Sequence, residues 1–235
     1  MRRAYRNDLK KYYLHYISYG RYENRIATGV TTLQDSQTIQ GGIDYSAVYN
    51  YEEYINRYPD IKADCGGDDI KALEHFVGCG MSEGRIGREA FDVHSYRFKY
   101  GDLRRAYRND LRKYYMHYIQ YGKYENRITT GVTCLQDCLT MYNGTDYDLV
   151  YDFYEYINRY PDIKAYCGND DVKALEHFVQ HGMSEGRMGR ASFDVNFYKA
   201  NYTDLQKVFG NDSRKYYLHY IACGNSEGRI ASALE

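Results

Sequence analysis

The stretch that decides the fold is Lys10–Gly20, KKYYLHYISYG, because its pattern returns four more times along the chain. Two close copies, RKYYMHYIQYG and RKYYLHYIACG, cover 112–122 and 214–224, and two looser copies, IKALEHFVGCG and VKALEHFVQHG, cover 70–80 and 172–182. In the first copy the tyrosines and the histidine recur at the i, i+3, i+4, i+7 spacing of one helix face. A helix repeated five times predicts a repeat architecture rather than a single active site.

The histidines of these copies set the period, since they follow one another at steps of 60, 42, 60 and 42 residues. They are His15, His75, His117, His177 and His219. The repeating unit therefore has about 42 residues, and alternate junctions carry an additional joint of 18 residues. The predicted division is a partial repeat at 1–30, a joint at 31–48, two repeats at 49–132, a joint at 133–150 and two repeats at 151–234. We number the repeats 1 to 5, with bounds 1–30, 49–90, 91–132, 151–192 and 193–234.

Each complete repeat predicts three short helices, as repeat 2 illustrates. The first helix follows the N-cap residue Asn50, the second begins at Pro59, and the third follows the cap Asp68. Gly80 is predicted to end the third helix as a left-handed residue. Because such short helices are marginal alone, their stability must come from neighbouring units. We therefore predict an all-α fold of tandem three-helix repeats stacked in an elongated array, with the 18-residue joints between pairs of repeats.

The charge balance argues against a nucleic-acid partner. The chain carries 31 basic and 32 acidic residues, so it lacks the positive surplus that drives nucleic-acid affinity. No apolar run reaches the roughly 18 residues that a membrane span requires. Tyrosine is the unusual component, with 31 copies and no tryptophan. Tyrosine is enriched at protein interfaces, so this composition favours a protein-binding role.

The five histidines admit two interpretations. A metal or proton site needs several converging ligands, and no Cys-x-x-Cys pair accompanies these histidines. The alternative is a packed imidazole that bonds to a backbone carbonyl or to the following glutamate. We favour the structural role, because a catalytic histidine is needed only once. The sequence therefore predicts no catalytic residue, no metal, no cofactor and no enzyme.

A Glu-x-Arg motif follows every third helix. Carboxylate chemistry would need a second carboxylate at a set distance, which the repeat does not offer consistently. We instead predict that each arginine closes onto the neighbouring repeat while the glutamate orients it. These arginines are Arg25, Arg85, Arg127, Arg187 and Arg229.

The cysteines fall into two groups. Cys134 and Cys138 are confined to the second joint. The sequence is compatible with a local disulfide between them and also with two free thiols. The other four replace bulky residues of the repeat and are predicted to be small buried thiols. They are Cys65, Cys79, Cys167 and Cys223.

The motifs YINRYPDIKA, KALEHFVxxGMSEGR, FDVxxY and NDxxKYYLHYIxYG carry a family resemblance. The chain resembles the tandem helical repeats of surface or secreted proteins of Gram-positive gut anaerobes, including immunoglobulin-binding surface proteins of the B-cell superantigen type. The resemblance covers nearly the whole chain. It implies a secreted or cell-surface location and a non-enzymatic module that binds a host protein such as the variable region of immunoglobulin. A cell-wall or glycan-binding anchor and a spacer array are the alternatives.

Tyrosines of the odd-numbered repeats are the predicted binding residues. Repeats 1, 3 and 5 carry tyrosine at a position where repeats 2 and 4 have alanine, and repeats 1 and 3 place another in the turn after the third helix. The predicted partner-binding set is Tyr12, Tyr22, Tyr114, Tyr124 and Tyr216. The alternative is that some of these rings fill gaps against the following joint.

Overall fold

The computed structural model describes residues 2–5, 8–28 and 35–233, with the side chains of residues 2 and 3 left aside. The start of the first predicted joint, 31–34, and the last residue of repeat 5, 234, lie outside the described residues. The chain is mostly helical, and the prediction of an all-α fold built from repeated units is confirmed. None of the described helices has the length and apolarity that a membrane crossing requires.

The complete repeats contain three helices of seven residues each, as predicted. The first helices are Tyr51–Arg57, Val93–Lys99, Phe153–Arg159 and Val195–Asn201. The second helices are Pro59–Cys65, Gly101–Tyr107, Pro161–Cys167 and Thr203–Phe209, and repeat 1 has a shorter equivalent at Arg2–Tyr5. The third helices are Leu9–His15, Asp69–His75, Leu111–His117, Asp171–His177 and Ser213–His219.

The predicted caps start these helices. The Asn50 side chain accepts a hydrogen bond from the backbone N–H of Glu53 at 3.1 Å. The Asp68 side chain accepts bonds from the N–H groups of Ile70 and Lys71 at 3.0 and 3.1 Å. Each bond satisfies a donor that the first helical turn leaves without a partner. These two bonds therefore fix where the first and third helices of repeat 2 begin, whereas Asp110 and Asp212 precede the third helices of repeats 3 and 5 without a side-chain cap bond.

The end of the third helix differs from the prediction. Each third helix continues into a five-residue π-helix, at Tyr16–Gly20, Phe76–Gly80, Tyr118–Gly122, Phe178–Gly182 and Tyr220–Gly224. Gly80 is right-handed, with φ −55°, so the expected left-handed terminator is wrong at this residue. The left-handed residue comes later, at Gly84 with φ 73°. A β-carbon on Gly80 would lie 2.6 Å from the Tyr54 hydroxyl, so this glycine permits a close approach of the first helix.

The joints contain short antiparallel hairpins. Ile39–Gln40 pairs with Ile43–Asp44 in the first joint, and Met141–Tyr142 pairs with Thr145–Asp146 in the second. Both hairpins turn through two residues of positive φ, which are Gly41 and Gly42 in the first and Asn143 and Gly144 in the second. Such residues favour two-residue hairpin turns.

The chain divides into two compact units whose bounds do not follow the repeats. Unit 1 contains 1–98 and 110–134, and unit 2 contains 99–109 and 135–235. The second helix of repeat 3, Gly101–Tyr107, therefore belongs to unit 2, whereas the third helix of that repeat belongs to unit 1. Sequence repetition alone does not reveal this division.

A buried ion pair attaches that helix within unit 2. The Arg104 guanidinium Nε donates to both carboxylate oxygens of Asp171 at 3.0 and 3.1 Å, and both side chains are fully buried. The second guanidinium nitrogen donates to the carbonyl oxygens of Gln136 and Asp137 at 2.6 and 3.1 Å. Asp171 also accepts from the backbone N–H of Leu139 at 3.1 Å. The ion pair therefore joins the second helix of repeat 3, the second joint and the third helix of repeat 4.

A tyrosine connects consecutive repeats within each unit. In unit 1 the ring of Tyr115 packs against Phe76 of the preceding repeat and Phe91, at centroid distances of 5.7 and 5.3 Å. Its hydroxyl donates to the carbonyl oxygen of Arg85 at 2.9 Å. In unit 2 the equivalent Tyr217 makes the same contacts to Phe178, Phe193 and the carbonyl oxygen of Arg187. Neighbouring repeats thus share an aromatic core and the hydrogen bond of this tyrosine, and Arg112 and Arg214 add a bond to the carbonyl oxygens of Val77 and Val179 in the preceding repeat.

Candidate functional site

The repeated histidines bond to tyrosines. In repeats 2 to 5 the histidine Nδ1 lies 2.9, 2.9, 3.0 and 3.0 Å from the hydroxyl of a tyrosine on the first helix of the same repeat. The pairs are Tyr54–His75, Tyr96–His117, Tyr156–His177 and Tyr198–His219. The predicted partner, a backbone carbonyl or the following glutamate, is therefore wrong for Nδ1 in these four repeats. The reason is that the first helix passes close to the glycine that ends the π-helix, as Tyr54 does at Gly80.

These pairs are suited to packing. Burial raises the pKa of the Tyr156 hydroxyl, so the hydroxyl keeps its proton. It donates to Nδ1 of His177 when the imidazole is neutral and carries its proton on Nε2. Burial, and then the positive charge of Arg187, lower the pKa of His177 and favour the neutral ring. The pair thus satisfies two polar groups inside the repeat.

The arginines of the Glu-x-Arg motif act within their own repeats. The Arg85 guanidinium bonds to Glu83 at 2.6 Å, as predicted, and to Asp60 at 2.8 Å. Asp60 lies in the second helix of the same repeat, so the predicted closure onto the neighbouring repeat is wrong. The guanidinium also lies over the Tyr58 ring at 4.9 Å. The hydrogen bond from Arg85 lowers the pKa of the Asp60 carboxyl, which is placed to complement the positive end of the second helix.

Two other copies of the motif make the same pair of contacts, to the glutamate of the motif and to an aspartate of the second helix. Arg187 bonds to Glu185 and Asp162, and Arg229 bonds to Glu227 and Asp204. The remaining two arginines bond to the glutamate of their own motif, in the pairs Arg25–Glu23 and Arg127–Glu125. The motif therefore closes the turn after each third helix.

One group of potential metal ligands was missed from the sequence. Ligand atoms of His219, Cys223 and Glu227 lie within 4.8 Å of one another, at the i, i+4, i+8 spacing that could have indicated them. All three already have partners, since the Cys223 thiol donates to the carbonyl oxygen of His219 at 3.5 Å. His219 Nδ1 is bonded to Tyr198, and Glu227 accepts a 2.5 Å bond from Arg229. We therefore assign no metal to this group.

The predicted binding tyrosines differ in their exposure to solvent. Tyr22 and Tyr124 are 72% and 74% exposed, whereas Tyr114 and Tyr216 are fully buried, and Tyr12 is half-buried. A surface role for Tyr114 and Tyr216 is therefore wrong. Tyr216 fills space inside its own repeat, because its ring packs edge-on against Phe209 and its hydroxyl donates to the carbonyl oxygen of Gly210. The gap-filling alternative holds for Tyr216, though not against a joint.

The exposed pair belongs to a duplicated turn, which we call the tyrosine turn. It covers 19–26, YGRYENRI, and 121–128, YGKYENRI, and both copies belong to unit 1. In the first copy Tyr19 and Tyr22 are exposed, and the Arg21 guanidinium lies 4.6 Å from the Tyr22 ring centroid. The second copy repeats this arrangement with Tyr121, Tyr124 and Lys123. Tyr19 and Tyr121 were not predicted as binding residues, although their place in the repeated motif could have indicated them.

No disulfide joins the joint cysteines Cys134 and Cys138. Cys134 is exposed, and burial raises the pKa of the half-buried Cys138 thiol to about 12. Of the repeat cysteines, Cys65 and Cys167 are buried as predicted, whereas the prediction is wrong for the exposed Cys79. Cys223 is half-buried.

Comparisons with protein-family models, curated proteins and solved structures find no match for this chain. The resemblance to bacterial surface repeats therefore stays a prediction from the sequence motifs.

Proposed function

We propose that this chain is a non-enzymatic protein-binding module that engages a host protein through its two tyrosine turns. The supporting observation is the duplication of an exposed tyrosine pair with a basic side chain packed on one ring. Tyrosine offers a large contact area and a hydrogen-bonding tip at a low cost in conformational entropy. The arginine or lysine over the ring restricts its orientation, which reduces the ordering required on binding.

The Tyr22 ring contributes little to the folded core. The position of Tyr22 is serine in the other three repeats, at Ser82, Ser184 and Ser226. Tyr22 remains 72% exposed, so little of its apolar area is removed from water. Hydrophobic stabilisation scales with the area removed from water, so the exchange of serine for tyrosine contributes little to the core. An exposed aromatic with no packing role favours recognition of a partner.

Immunoglobulin is the first partner to test, because the resemblance stated above includes immunoglobulin-binding proteins. A secreted or cell-surface location belongs to the same proposal. Both turns lie in unit 1, and two engagements by one chain act at a raised effective concentration. Repetition of the turn therefore suits a target that presents several identical copies.

The test immobilises the intact chain and measures what it retains from human serum. We expect immunoglobulin to be retained, and a double variant Tyr22→Ser and Tyr124→Ser to bind at least thirtyfold more weakly, since interface aromatics contribute about 2 kcal/mol. Serine is the matched replacement, because three repeats carry it at this position. Val208→Ser removes an apolar side chain with the same 72% exposure from unit 2 and is expected to leave binding unchanged.

Two results would contradict the proposal. Retention of immunoglobulin by the double serine variant at native strength would remove the tyrosine turns from the interface. Sedimentation with purified peptidoglycan, without retention of any serum protein, would favour the anchor instead. A chain that binds neither material would be a spacer.

A further inference from the structure

Repeat 4 is the only repeat with a second histidine four residues after the repeated one. His177 ends the third helix of repeat 4, and His181 lies in the π-helix that continues it. The other repeats have a tyrosine or a cysteine at the position of His181, namely Tyr19, Cys79, Tyr121 and Cys223. The pair was not predicted as a site from the sequence, although its His-x-x-x-His spacing could have indicated it.

The two imidazole rings lie beside each other. The ring centroids of His177 and His181 are 5.4 Å apart, and the ring planes are inclined by 49°. Two imidazoles that bind one tetrahedral zinc ion through Zn–N bonds of about 2.0 Å have ring centroids roughly 5.2 Å apart. The observed separation therefore matches the spacing of a zinc ion held by two histidines.

His177 is held in place with one ring nitrogen available. Its Nδ1 lies 3.0 Å from the Tyr156 hydroxyl, and the Tyr166 ring packs edge-on against the imidazole at a centroid distance of 6.0 Å. Its Nε2 makes no hydrogen bond to any described residue. When Nε2 binds a metal, the neutral imidazole carries its proton on Nδ1 and donates it to the Tyr156 hydroxyl oxygen. A hydrogen bond at the far nitrogen fixes the orientation of a metal-binding imidazole.

His181 supplies the second nitrogen. Its side chain is exposed, and within the part of the chain that the structure describes its imidazole makes no hydrogen bond and no ion pair. Burial lowers the pKa of His177, which keeps that imidazole in the neutral form that binds metals. Glu185 is not counted as a ligand, because its carboxylate accepts a bond from Arg187 at 2.5 Å.

The histidine pair differs from the group at His219, Cys223 and Glu227. In that group the thiol donates to a carbonyl oxygen, and the carboxylate accepts from Arg229. In repeat 4 each imidazole has a nitrogen without a partner among the described residues. Zinc binding between the two rings therefore breaks no described hydrogen bond of the protein.

We propose that His177 and His181 form a zinc-binding site, with Nε2 of His177 and one ring nitrogen of His181 as the protein ligands. Water occupies the remaining positions of the tetrahedron. The metal connects the end of the third helix to the π-helix that follows it. The site lies in unit 2, whereas both tyrosine turns lie in unit 1, and it does not depend on the proposed function.

The test titrates the intact chain with Zn²⁺ and follows the ¹⁵N NMR signals of its seven histidine side chains. We expect the Nε2 signal of His177 and one ring nitrogen signal of His181 to shift at a common midpoint, with a dissociation constant of about 0.1 mM or lower. His117, which is followed by Tyr121 at this position, should stay unshifted at that concentration. Separate midpoints for His177 and His181, an equal response of His117, or no shift at about 1 mM zinc would each overturn the site.

His181→Tyr is the matched variant, because repeats 1 and 3 have tyrosine at this position. Their tyrosine rings lie 5.5 and 5.6 Å from the repeated histidine, close to the separation of the histidine pair. We expect the zinc affinity of His177 to fall at least about tenfold in this variant, while far-UV circular dichroism and immunoglobulin retention stay unchanged. A native zinc response of His177 without His181 would refute the role of the second histidine.

A second variant moves the pair to repeat 3 by adding Tyr121→His to His181→Tyr. His117 Nδ1 lies 2.9 Å from the Tyr96 hydroxyl, so its imidazole is held in the same way as that of His177. Tyr121 is 57% exposed, so its replacement removes little from the core. We expect the His117 signal to shift with zinc at an affinity within about tenfold of the native site, while His177 stays unshifted. An unshifted His117 would refute the geometric argument for the site.

Discussion

Replacing Arg104 by methionine is expected to destabilise unit 2 by about 3–5 kcal/mol, the usual cost of removing one partner from a buried ion pair. Arg104 and Asp171 are both fully buried. The guanidinium donates to both carboxylate oxygens and to two backbone carbonyl oxygens of the second joint. Methionine preserves much of the side-chain volume but leaves the buried Asp171 carboxylate without its cationic partner, while the hydrogen bond from the Leu139 backbone N–H remains. The loss is therefore mainly electrostatic.

The assay is urea unfolding followed by far-UV circular dichroism, with the free energy of unfolding extrapolated to water. Glu176→Gln is the matched control, because Glu176 forms an ion pair with Arg108 from the same two helices, where both side chains are partly exposed. We expect this control to cost less than about 1 kcal/mol. The difference between the two losses of stability separates the effect of burial from the effect of removing an ion pair as such.

A double variant, Arg104→Met with Asp171→Leu, tests the cause of the loss. Removing both charges leaves no unpaired carboxylate, so we expect it to recover at least 2 kcal/mol relative to the single arginine variant. The reasoning fails if Arg104→Met unfolds within about 1 kcal/mol of the native chain. It fails equally if the double variant loses as much as the sum of the two single variants.

Two further predictions follow from the repeat core. Gly80→Ala should destabilise the chain by roughly 1–3 kcal/mol, because its β-carbon would lie 2.6 Å from the Tyr54 hydroxyl. Gly78→Ala, in the same π-helix but facing open space, should be neutral or stabilising by up to about 1 kcal/mol; equal losses at both sites in thermal melts would contradict the close-approach explanation. The pKa of His177 is lowered below 6.5 in the folded chain, so the unfolded chain binds its proton first as the pH falls. The contribution of His177 to the free energy of unfolding is therefore complete above pH 6.5 and declines below it. Between pH 7.5 and 5.5, the free energy of unfolding of a His177→Gln variant should therefore fall less than that of the native chain.

The local architecture was readable from the sequence because it depends on nearby residues. Caps such as Asn50 and Asp68 act within three residues, and the recurrence of His75 and its counterparts sets the period. The Tyr–His bond was also within reach, since a tyrosine precedes the histidine by 21 residues in four repeats. The sequence interpretation missed it by seeking partners close to each histidine.

The division into units was not readable, because it depends on long-range packing. Repeat 3 has the same helix spacing as repeat 5, yet its second helix belongs with repeat 4 through Arg104 and Asp171. No periodic pattern encodes that choice. The pairing joins residues 67 positions apart, and it can be assigned only once the second joint lies against both helices.

Repeat 1 and repeat 5 together show why the abundance of tyrosine does not by itself indicate a binding surface. Both contain KYYLHYI, but Tyr13 is exposed in one repeat and its counterpart Tyr217 is buried in the other. In repeat 5, Phe193, which precedes the first helix, and Phe178 of the preceding repeat cover Tyr217. A tyrosine of the third helix is therefore buried or exposed according to what packs on it. Tyr22 and Tyr124 of the turn are exposed in both repeat 1 and repeat 3, and for that reason the turn supports recognition of a host protein.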